Sequence, residues 1–202
     1  SSKASAGASV TARIGSKPRS MKAIVVAVIE AISSRLSEDQ ITVVGNGSAC
    51  VVGGHGYIMK KGQRFLSNSA IASMGYDLPA AIGACMAAHD PEHEGDGYSR
   101  HDIILVTGDG SIQMNLQELG TVMEQKAPVK MILLNNNFLG NVRQWQAMFF
   151  NRRYSFTPMM NPDYMKIASA YEIPARRVFT REELAKAIGE MIATDEIGRA
   201  HV

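Results

Sequence analysis

Two clusters of small polar residues each follow an apolar segment, and their side chains could bind a metal ion. Residues 103–106 lead into a Gly-Asp-Gly motif that contains Asp109, and residues 131–134 lead into three asparagines that include Asn136. Such apolar runs predict buried strands of a parallel sheet, in which ligands bind at the carboxyl ends. A carboxylate and an amide oxygen are hard ligands that suit Mg²⁺ or Ca²⁺. The sequence therefore predicts a cation site where these two strands end.

A ligand with phosphate groups fits such a site best. Mg²⁺ usually keeps a few protein ligands and completes its octahedron with phosphate oxygens and water. Gly108 and Gly110 let the backbone turn tightly and approach a ligand closely. A helix predicted to begin near Asn115 adds positive potential nearby. The pattern favours a diphosphate that is bridged to the protein through Mg²⁺.

Together, the two motifs resemble the metal- and diphosphate-binding motif of thiamine-diphosphate enzymes. Gly108-Asp109-Gly110 is followed, after 24 residues (111–134), by Asn135-Asn136. The resemblance implies that the Asp109 and Asn136 side chains bind Mg²⁺, with the backbone carbonyl of Phe138 as the third protein ligand. The alternative interpretation is a pair of ordinary strand-to-helix turns in which Asp109 binds no metal.

Four further motifs resemble the large, catalytic subunit of acetolactate synthase. They are SMGYDLPAAIGA at 73–84, QMNLQEL at 113–119, PVK at 128–130 and VRQWQ at 142–146. The resemblance extends from about residue 21 to residue 194 and corresponds to the C-terminal, diphosphate-binding domain of a much longer chain. It implies the thiamine-diphosphate-binding fold, an α/β, three-layer domain whose mostly parallel central sheet is flanked by helices.

The resemblance also implies which residues contact the cofactor and the substrate. Met74 would separate the pyrimidine and thiazolium rings, and the Ala72 carbonyl would accept a hydrogen bond from the 4′-amino group. Trp145, the only tryptophan, would line the substrate site. Met74 could instead be a core residue, and Trp145 a core or interface aromatic. The other residues predicted to contact the cofactor are Ser48, Gly108, Gly110, Ser111, Asn136, Leu139 and Gly140.

Three positions depart from the acetolactate synthase pattern. Ser48 and Ala49 stand near positions where that family has Gln and His, and Asn141 stands where methionine is common. Asn46 and Ser48 could also be simple turn residues. These departures leave the exact 2-oxo acid substrate open.

As an acetolactate synthase-like enzyme, the protein would decarboxylate pyruvate and join the fragment to a second 2-oxo acid. In this family the activating glutamate lies in an N-terminal, pyrimidine-binding domain, to which no segment of this sequence corresponds. We therefore expect that domain to come from another chain, in a homodimer or tetramer, with little activity in its absence. FAD is expected only in the full-length enzyme. Two alternatives are a subunit of a split thiamine-diphosphate-dependent 2-oxo acid decarboxylase and a non-catalytic cofactor-binding fragment.

The composition is that of an ordinary globular domain. The 202 residues are 46% hydrophobic and 20% charged, with a net charge of +2. The basic residues are scattered, which argues against a nucleic-acid partner. No apolar run is long enough to predict a membrane-spanning helix. Cys50 and Cys85 show no metal-ligand spacing, so we expect a reduced, cytoplasmic protein.

Capping signals predict where several helices begin. Asn115 and Glu118 have capping-box spacing for a helix to residue 126, although Asn115 could instead face the cofactor. Thr180 and Glu183 have the same spacing for a helix to residue 193, and Asn161 is predicted to cap a helix over 162–171. The other predicted elements are helices over 20–36, over 72–89 and after residue 140, and strands over 41–44, over 65–69, after 128 and over 175–179.

The domain itself is expected to span residues 21–194. Residues 1–20 are rich in Ser, Ala, Gly, Lys and Arg and are predicted to form a disordered tail or linker. Residues 195–202 are predicted to be a tail rather than a strand. Residues 89–101 are predicted to form a polar surface loop.

Overall fold

The computed structural model describes residues 11–12, 21–90, 92, 103–194 and 200–201, which form seven strands and eight α-helices. In chain order they are β1 (Thr11–Ala12), α1 (Met21–Ser33), β2 (Ile41–Val44), α2 (Ser48–Gly56), β3 (Arg64–Ser67), α3 (Asp77–Ala88), β4 (Ile103–Gly108), α4 (Asp109–Ile112), α5 (Leu119–Glu124), β5 (Val129–Leu134), α6 (Gly140–Phe149), α7 (Tyr164–Ala170), β6 (Arg177–Val178), α8 (Arg181–Ile192) and β7 (Ala200–His201). A 3₁₀ helix, Gln113–Glu118, joins α4 to α5.

The described strands form one parallel sheet. Its order is β3-β2-β4-β5-β1-β6, and β7 also pairs with β5. Val44 of β2 pairs with Val106 of β4, and Gly108 of β4 pairs with Leu134 of β5. The carboxyl ends of these three strands therefore lie at one edge of the sheet, and the loops that follow them meet there.

Helices cover both faces of the sheet. The residues of β2 and β5 are buried along their whole length, as expected for strands with a layer of helices on each side. Successive residues of β4 pack into opposite layers. Leu105 belongs to a core cluster with Leu78 of α3, whereas Val106 belongs to a second cluster with Ile29 of α1 and Ile188 of α8. The three-layer α/β fold predicted from the sequence is confirmed.

None of the helices that the structure describes is long and apolar enough to cross a membrane.

The helix predicted over residues 72–89 begins later than expected, at Asp77. Ala72 and Gly75 have positive φ angles of 58° and 83°, which a right-handed helix cannot include. Residues 68–76 therefore form a loop that lies over the carboxyl edge of the sheet.

The helix predicted to begin near Asn115 begins earlier, at Asp109, so the predicted Asn115–Glu118 capping box is wrong. Asn115 has a non-helical backbone, with φ −135° and ψ 39°, and it bends the helical path inside the 3₁₀ segment. Its side-chain amide donates to the Gly75 carbonyl oxygen at 2.7 Å. This contact between Asn115 and Gly75, which are distant in sequence, takes the place of the predicted capping interaction with Glu118.

The cap predicted at Asn161 is also wrong, because α7 begins at Tyr164 with Asp163 as its N-cap. The Asp163 carboxylate accepts a hydrogen bond from the Met165 backbone N–H at 3.0 Å. By contrast, the capping box of Thr180 and Glu183 at the start of α8 is confirmed.

Helix α2 was not predicted, α1 ends before residue 36, and β6 is only two residues long.

Two short segments outside the predicted domain belong to the sheet. Thr11–Ala12 pairs with β5 and β6, so the prediction of a disordered tail is wrong for these two residues. Ala200–His201 pairs with β5, so the prediction that the C-terminal residues form no strand is wrong there. The rest of both tails, and most of the predicted loop over 89–101, lie outside the described residues.

Candidate functional site

The carboxylate of Asp109 connects the end of β4 to the end of β5. Asp109 is buried, with 3% of its surface exposed. Its Oδ1 accepts from the Gly110 backbone N–H at 3.0 Å. Its Oδ2 accepts from the backbone N–H groups of Asn136 at 3.2 Å and Asn137 at 2.7 Å. The two sequence motifs therefore meet at this carboxylate.

The asparagine loop after β5 has a shape that its own side chains stabilise. The Asn136 Oδ1 accepts from the Phe138 backbone N–H at 2.7 Å, and Asn137 adopts a positive φ of 59°, which asparagine tolerates well. The loop is held from outside as well, because the Met159 N–H donates to the Asn137 carbonyl at 2.9 Å. Asn136 and the residues that follow it are thus fixed beside Asp109.

Three polar side chains that sequence reasoning did not place at the site surround Asp109 from the other side. The Asn161 amide donates to Asp109 Oδ2 at 2.6 Å. The Gln113 amide and the Tyr164 hydroxyl both donate to the Asp109 backbone carbonyl, at 3.1 Å and 3.0 Å. Burial, followed by the negative charge of Asp109, raises the pKa of Tyr164 well above its ordinary value, so the phenol remains a neutral donor.

A cavity of about 750 Å³ opens at this edge of the sheet. Every residue predicted to bind the metal or the cofactor contributes to its lining: Ser48, Ala72, Met74, Gly108, Asp109, Gly110, Ser111, Asn136, Phe138, Leu139 and Gly140. Trp145 does not line it. Its indole is 61% exposed on α6 and contacts the ring of Phe149, with 4.8 Å between ring centroids. Its contact with a substrate stays a prediction.

Three helix N-termini meet at this cavity. Helices α2, α4 and α6 begin at Ser48, Asp109 and Gly140, and all three residues line it. Within the described residues, no side chain caps the N-termini of α2 and α6, whereas at α4 the Asp109 Oδ1 accepts from the Gly110 N–H. Uncapped backbone N–H groups and the helix dipole favour an anion, and phosphate is the anion most often bound in this way.

The residues of the cavity fit a magnesium-bound diphosphate. Asp109 and Asn136 contribute one carboxylate and one amide oxygen, which are the donors that Mg²⁺ prefers. No group of three or more His, Cys, Asp or Glu side chains that could hold a metal ion occurs in the part of the chain that the structure describes.

The family model for the thiamine pyrophosphate enzyme, C-terminal TPP binding domain, matches residues 45–199. The chain belongs to this family. The match includes β4, β5 and the loops after β2, β4 and β5, which contribute most of the residues that line the cavity. Thiamine pyrophosphate is another name for thiamine diphosphate, so the family of this domain agrees with the ligand that the residues fit.

The curated relatives are acetolactate synthases. The isozyme 2 large subunit of Escherichia coli is 38% identical over 141 residues, which are 69% of this chain and 24% of the relative. The large subunit of Pyropia yezoensis is 40% identical over 134 residues, 65% of this chain and 21% of the relative. The mitochondrial enzyme of Schizosaccharomyces pombe is 36% identical over 170 residues, 83% of this chain and 24% of the relative. The chain spans about a quarter of the length of these relatives.

In this family member, hydrogen bonds join the loop that carries Met74 to α4 and to the loop after β2. The Gly75 N–H donates to the Ser111 hydroxyl at 2.9 Å, and the Asn46 amide donates to the Ser73 carbonyl at 2.5 Å. A Cβ atom on Gly110 would lie only 2.9 Å from the Met74 methyl carbon. Met74 and the Gly-Asp-Gly motif are therefore packed against each other, and a Cβ at position 110 would require the end of the Met74 side chain to shift.

Arg143 packs against the ring of Phe138, a residue that lines the cavity. Its guanidinium carbon lies 4.3 Å from the centroid of the Phe138 ring and 4.1 Å from that of Tyr154. Each such cation–π contact stabilises a partly exposed site by about 0.5–1 kcal/mol. The residue joins α6 to the asparagine loop and to the segment after α6.

A buried acid, Asp77, lies beneath the Met74 loop. It is fully buried, the Thr107 hydroxyl donates to its Oδ2, and a Cβ on Gly45 would clash with the same oxygen. Burial raises the pKa of Asp77 above its ordinary value of 3.8, and hydrogen bonds from the Thr107 and Ser111 side chains offset only part of the rise. Asp77 thus connects the ends of β2 and β4 to the first turn of α3.

The raised pKa of Asp77 predicts how Asp77→Asn changes the free energy of unfolding with pH. Below pH 3.8 the residue is protonated in the folded and the unfolded chain alike. As the pH rises, the unfolded chain loses this proton first, so the folded state loses stability until the pH passes the folded-state pKa. Asparagine cannot ionise. We expect urea unfolding to show the variant gaining stability relative to the unmutated protein between pH 4 and pH 7. A difference that stays constant or shrinks over this range would contradict the raised pKa.

Proposed function

We propose that this chain forms the diphosphate-anchoring domain of an acetolactate synthase-like enzyme. That enzyme would decarboxylate pyruvate and join the resulting fragment to a second 2-oxo acid. The observation that carries the proposal is the cavity at which Asp109, Asn136 and the N-termini of α2, α4 and α6 meet. The family of the domain and the identity of its relatives support the choice of cofactor and of reaction.

Each group of cavity residues would hold one part of the cofactor. The Asp109 and Asn136 side chains and the Phe138 carbonyl would bind Mg²⁺, and Met74 with the Ala72 carbonyl would hold the two rings. Bound thiamine diphosphate supplies the chemistry of decarboxylation and carbon–carbon bond formation. The protein contributes binding and orientation. The residues that would contact the diphosphate are Ser48, Gly108, Gly110, Ser111, Leu139 and Gly140.

A pyrimidine-binding domain would complete the active site. Several large apolar side chains are exposed to solvent, and a contiguous exposed apolar surface is typical of a protein–protein contact. They are Ile71, Met114, Val142, Trp145, Met148, Phe149, Phe156 and Met160. A homodimer or tetramer, FAD in the full-length enzyme and a cytoplasmic location stay predictions, as does the choice of second 2-oxo acid.

The start of α2 favours a second candidate, a subunit of a split 2-oxo acid decarboxylase. Ser48 and Ala49 lie at this N-terminus, where the acetolactate synthases that the sequence resembles have Gln and His. Smaller side chains there would contact the diphosphate differently. The two candidates share the cofactor site and differ in the fate of the fragment that remains after carbon dioxide leaves.

One reconstitution experiment separates these candidates. The chain is mixed with a pyrimidine-binding domain, Mg²⁺, thiamine diphosphate and pyruvate, and the products are followed by NMR, with Asp109→Asn as the matched control. We expect acetolactate from the unmutated chain and none from the control. Acetaldehyde without acetolactate would favour the decarboxylase. Cofactor binding without any product would favour a non-catalytic fragment.

A further inference from the structure

Asn161 lies where the two halves of the proposed metal site meet, although it is 52 residues from Asp109 in the chain. Its Nδ2 is 2.6 Å from Asp109 Oδ2, 2.9 Å from Asn135 Oδ1 and 3.1 Å from Asn137 Oδ1. An amide nitrogen has two hydrogens for these three acceptors. The shortest contact is to the charged oxygen, and hydrogen bonds to ionised acceptors are the stronger ones.

The orientation of the Asn161 amide is determined by its other end. Its Oδ1 accepts from the Gln113 Nε2 at 3.0 Å, so the nitrogen must face Asp109. Gln113 also contacts the Tyr164 hydroxyl at 3.0 Å, and that hydroxyl donates to the Asp109 backbone carbonyl. The side chain and the backbone of Asp109 are therefore both held by one closed set of hydrogen bonds.

The two oxygens of the Asp109 carboxylate are consequently unequal. Oδ2 accepts three hydrogen bonds, from the Asn136 and Asn137 N–H groups and from the Asn161 amide. Oδ1 accepts one, from the Gly110 N–H. Each carboxylate oxygen offers about two lone-pair directions, so Oδ2 is saturated and Oδ1 keeps an acceptor position in a residue that lines the cavity.

We propose that Asn161 is a positioning residue that saturates Oδ2 of Asp109 and so makes Oδ1 the oxygen that binds the metal. This inference rests on the proposed function. Partners that orient a metal ligand in this way typically account for about 10–100-fold in metal affinity. Asn161→Ala would remove the shortest of the three bonds to Oδ2 and leave only the two backbone donors. The carboxylate would be held less firmly, so the metal would bind to a less well oriented ligand.

The test measures Mg²⁺ and cofactor affinities separately in the full chain. Calorimetry gives the affinity for thiamine diphosphate over a series of Mg²⁺ concentrations, with Gln125→Ala as a control because Gln125 is an exposed amide at the end of α5. We expect Asn161→Ala to need about 10–100-fold more Mg²⁺ for half-maximal binding. At saturating Mg²⁺, its thiamine diphosphate affinity should return to that of the unmutated chain.

A purely structural role for Asn161 would give a different pattern. It would lower the melting temperature and leave the Mg²⁺ requirement of the folded protein unchanged, and that result would overturn the inference. Asn161→Leu, which keeps the size of the side chain but has no donor, covers the case in which the alanine variant does not fold, and a Mg²⁺ requirement equal to that of the unmutated chain would again refute it. If the unmutated chain itself shows no Mg²⁺-dependent binding, the proposed function has failed instead.

Discussion

Asp109→Asn is expected to weaken Mg²⁺-dependent binding of thiamine diphosphate by at least about 100-fold, which exceeds the effect of losing a residue that only orients a ligand. Asparagine keeps the size of the side chain and one oxygen that can accept from the backbone of the asparagine loop. It removes the negative charge that a hard cation requires. Calorimetric titration with and without Mg²⁺ measures the change.

The isosteric variant is more informative here than alanine. Alanine would leave the backbone N–H groups of Gly110, Asn136 and Asn137 without their side-chain acceptor. Each unsatisfied donor costs about 1–3 kcal/mol, so Asp109→Ala would combine the loss of a ligand with a loss of folding stability.

Asp163→Asn is the matched control for Asp109→Asn. It removes a carboxylate charge from the cap of α7, outside the cavity lining, where Asp163 pairs with Arg177 at 2.8 Å. We expect this control to bind the cofactor as the unmutated protein does. Retention of Mg²⁺-dependent binding in Asp109→Asn would show that the metal ligand has been assigned to the wrong residue.

Gly75→Ala is expected to destabilise the protein by about 3 kcal/mol, the largest stability effect of a single methyl group that we predict. Gly75 has a φ of 83°, which is strained for any residue with a Cβ. The added Cβ would also lie 2.6 Å from the Met114 Cβ and 3.0 Å from the Asn115 amide nitrogen. The loop must shift to relieve these contacts, and Met74 would move with it.

Gly83→Ala, in the neighbouring helix α3, is expected to increase the stability of the protein, whereas Gly75→Ala decreases it. Gly83 lies inside α3, and a Cβ there would meet nothing within 4 Å. Alanine should therefore stabilise the helix by about 0.5–1 kcal/mol. Urea unfolding of the two variants side by side measures both changes. Equal stability of the two variants would mean that residues 72–76 are not held in the conformation described.

The strands and the meeting of the two polar motifs could be predicted because both depend on simple rules. Uniformly apolar runs such as 103–106 and 131–134 form buried strands whatever surrounds them. The carboxyl ends of neighbouring parallel strands must share one edge, so Asp109 and Asn136 meet without any knowledge of loop conformation. The capping box at Thr180 is likewise a local interaction and was predicted correctly.

The asparagines were misassigned for the opposite reason. Asn115 and Asn161 both stand where a helix cap is plausible from the neighbouring residues. In the structure each donates to a group distant in sequence, Gly75 and Asp109, respectively. Asp77 was not noticed because its burial depends on Gly45, which follows β2, and on Thr107 in β4. No pattern within one segment could have revealed these contacts.

The position of Trp145 makes its intrinsic fluorescence a probe of the docking of a second domain. It is the only tryptophan in 202 residues, and its indole is largely exposed on α6, the helix that starts at the cavity. Excitation at the red edge of protein absorption therefore selects one side chain on the surface through which a second domain would dock. A shift of its emission to shorter wavelength would record that docking directly, with no label attached, and would leave the cofactor free to be varied independently.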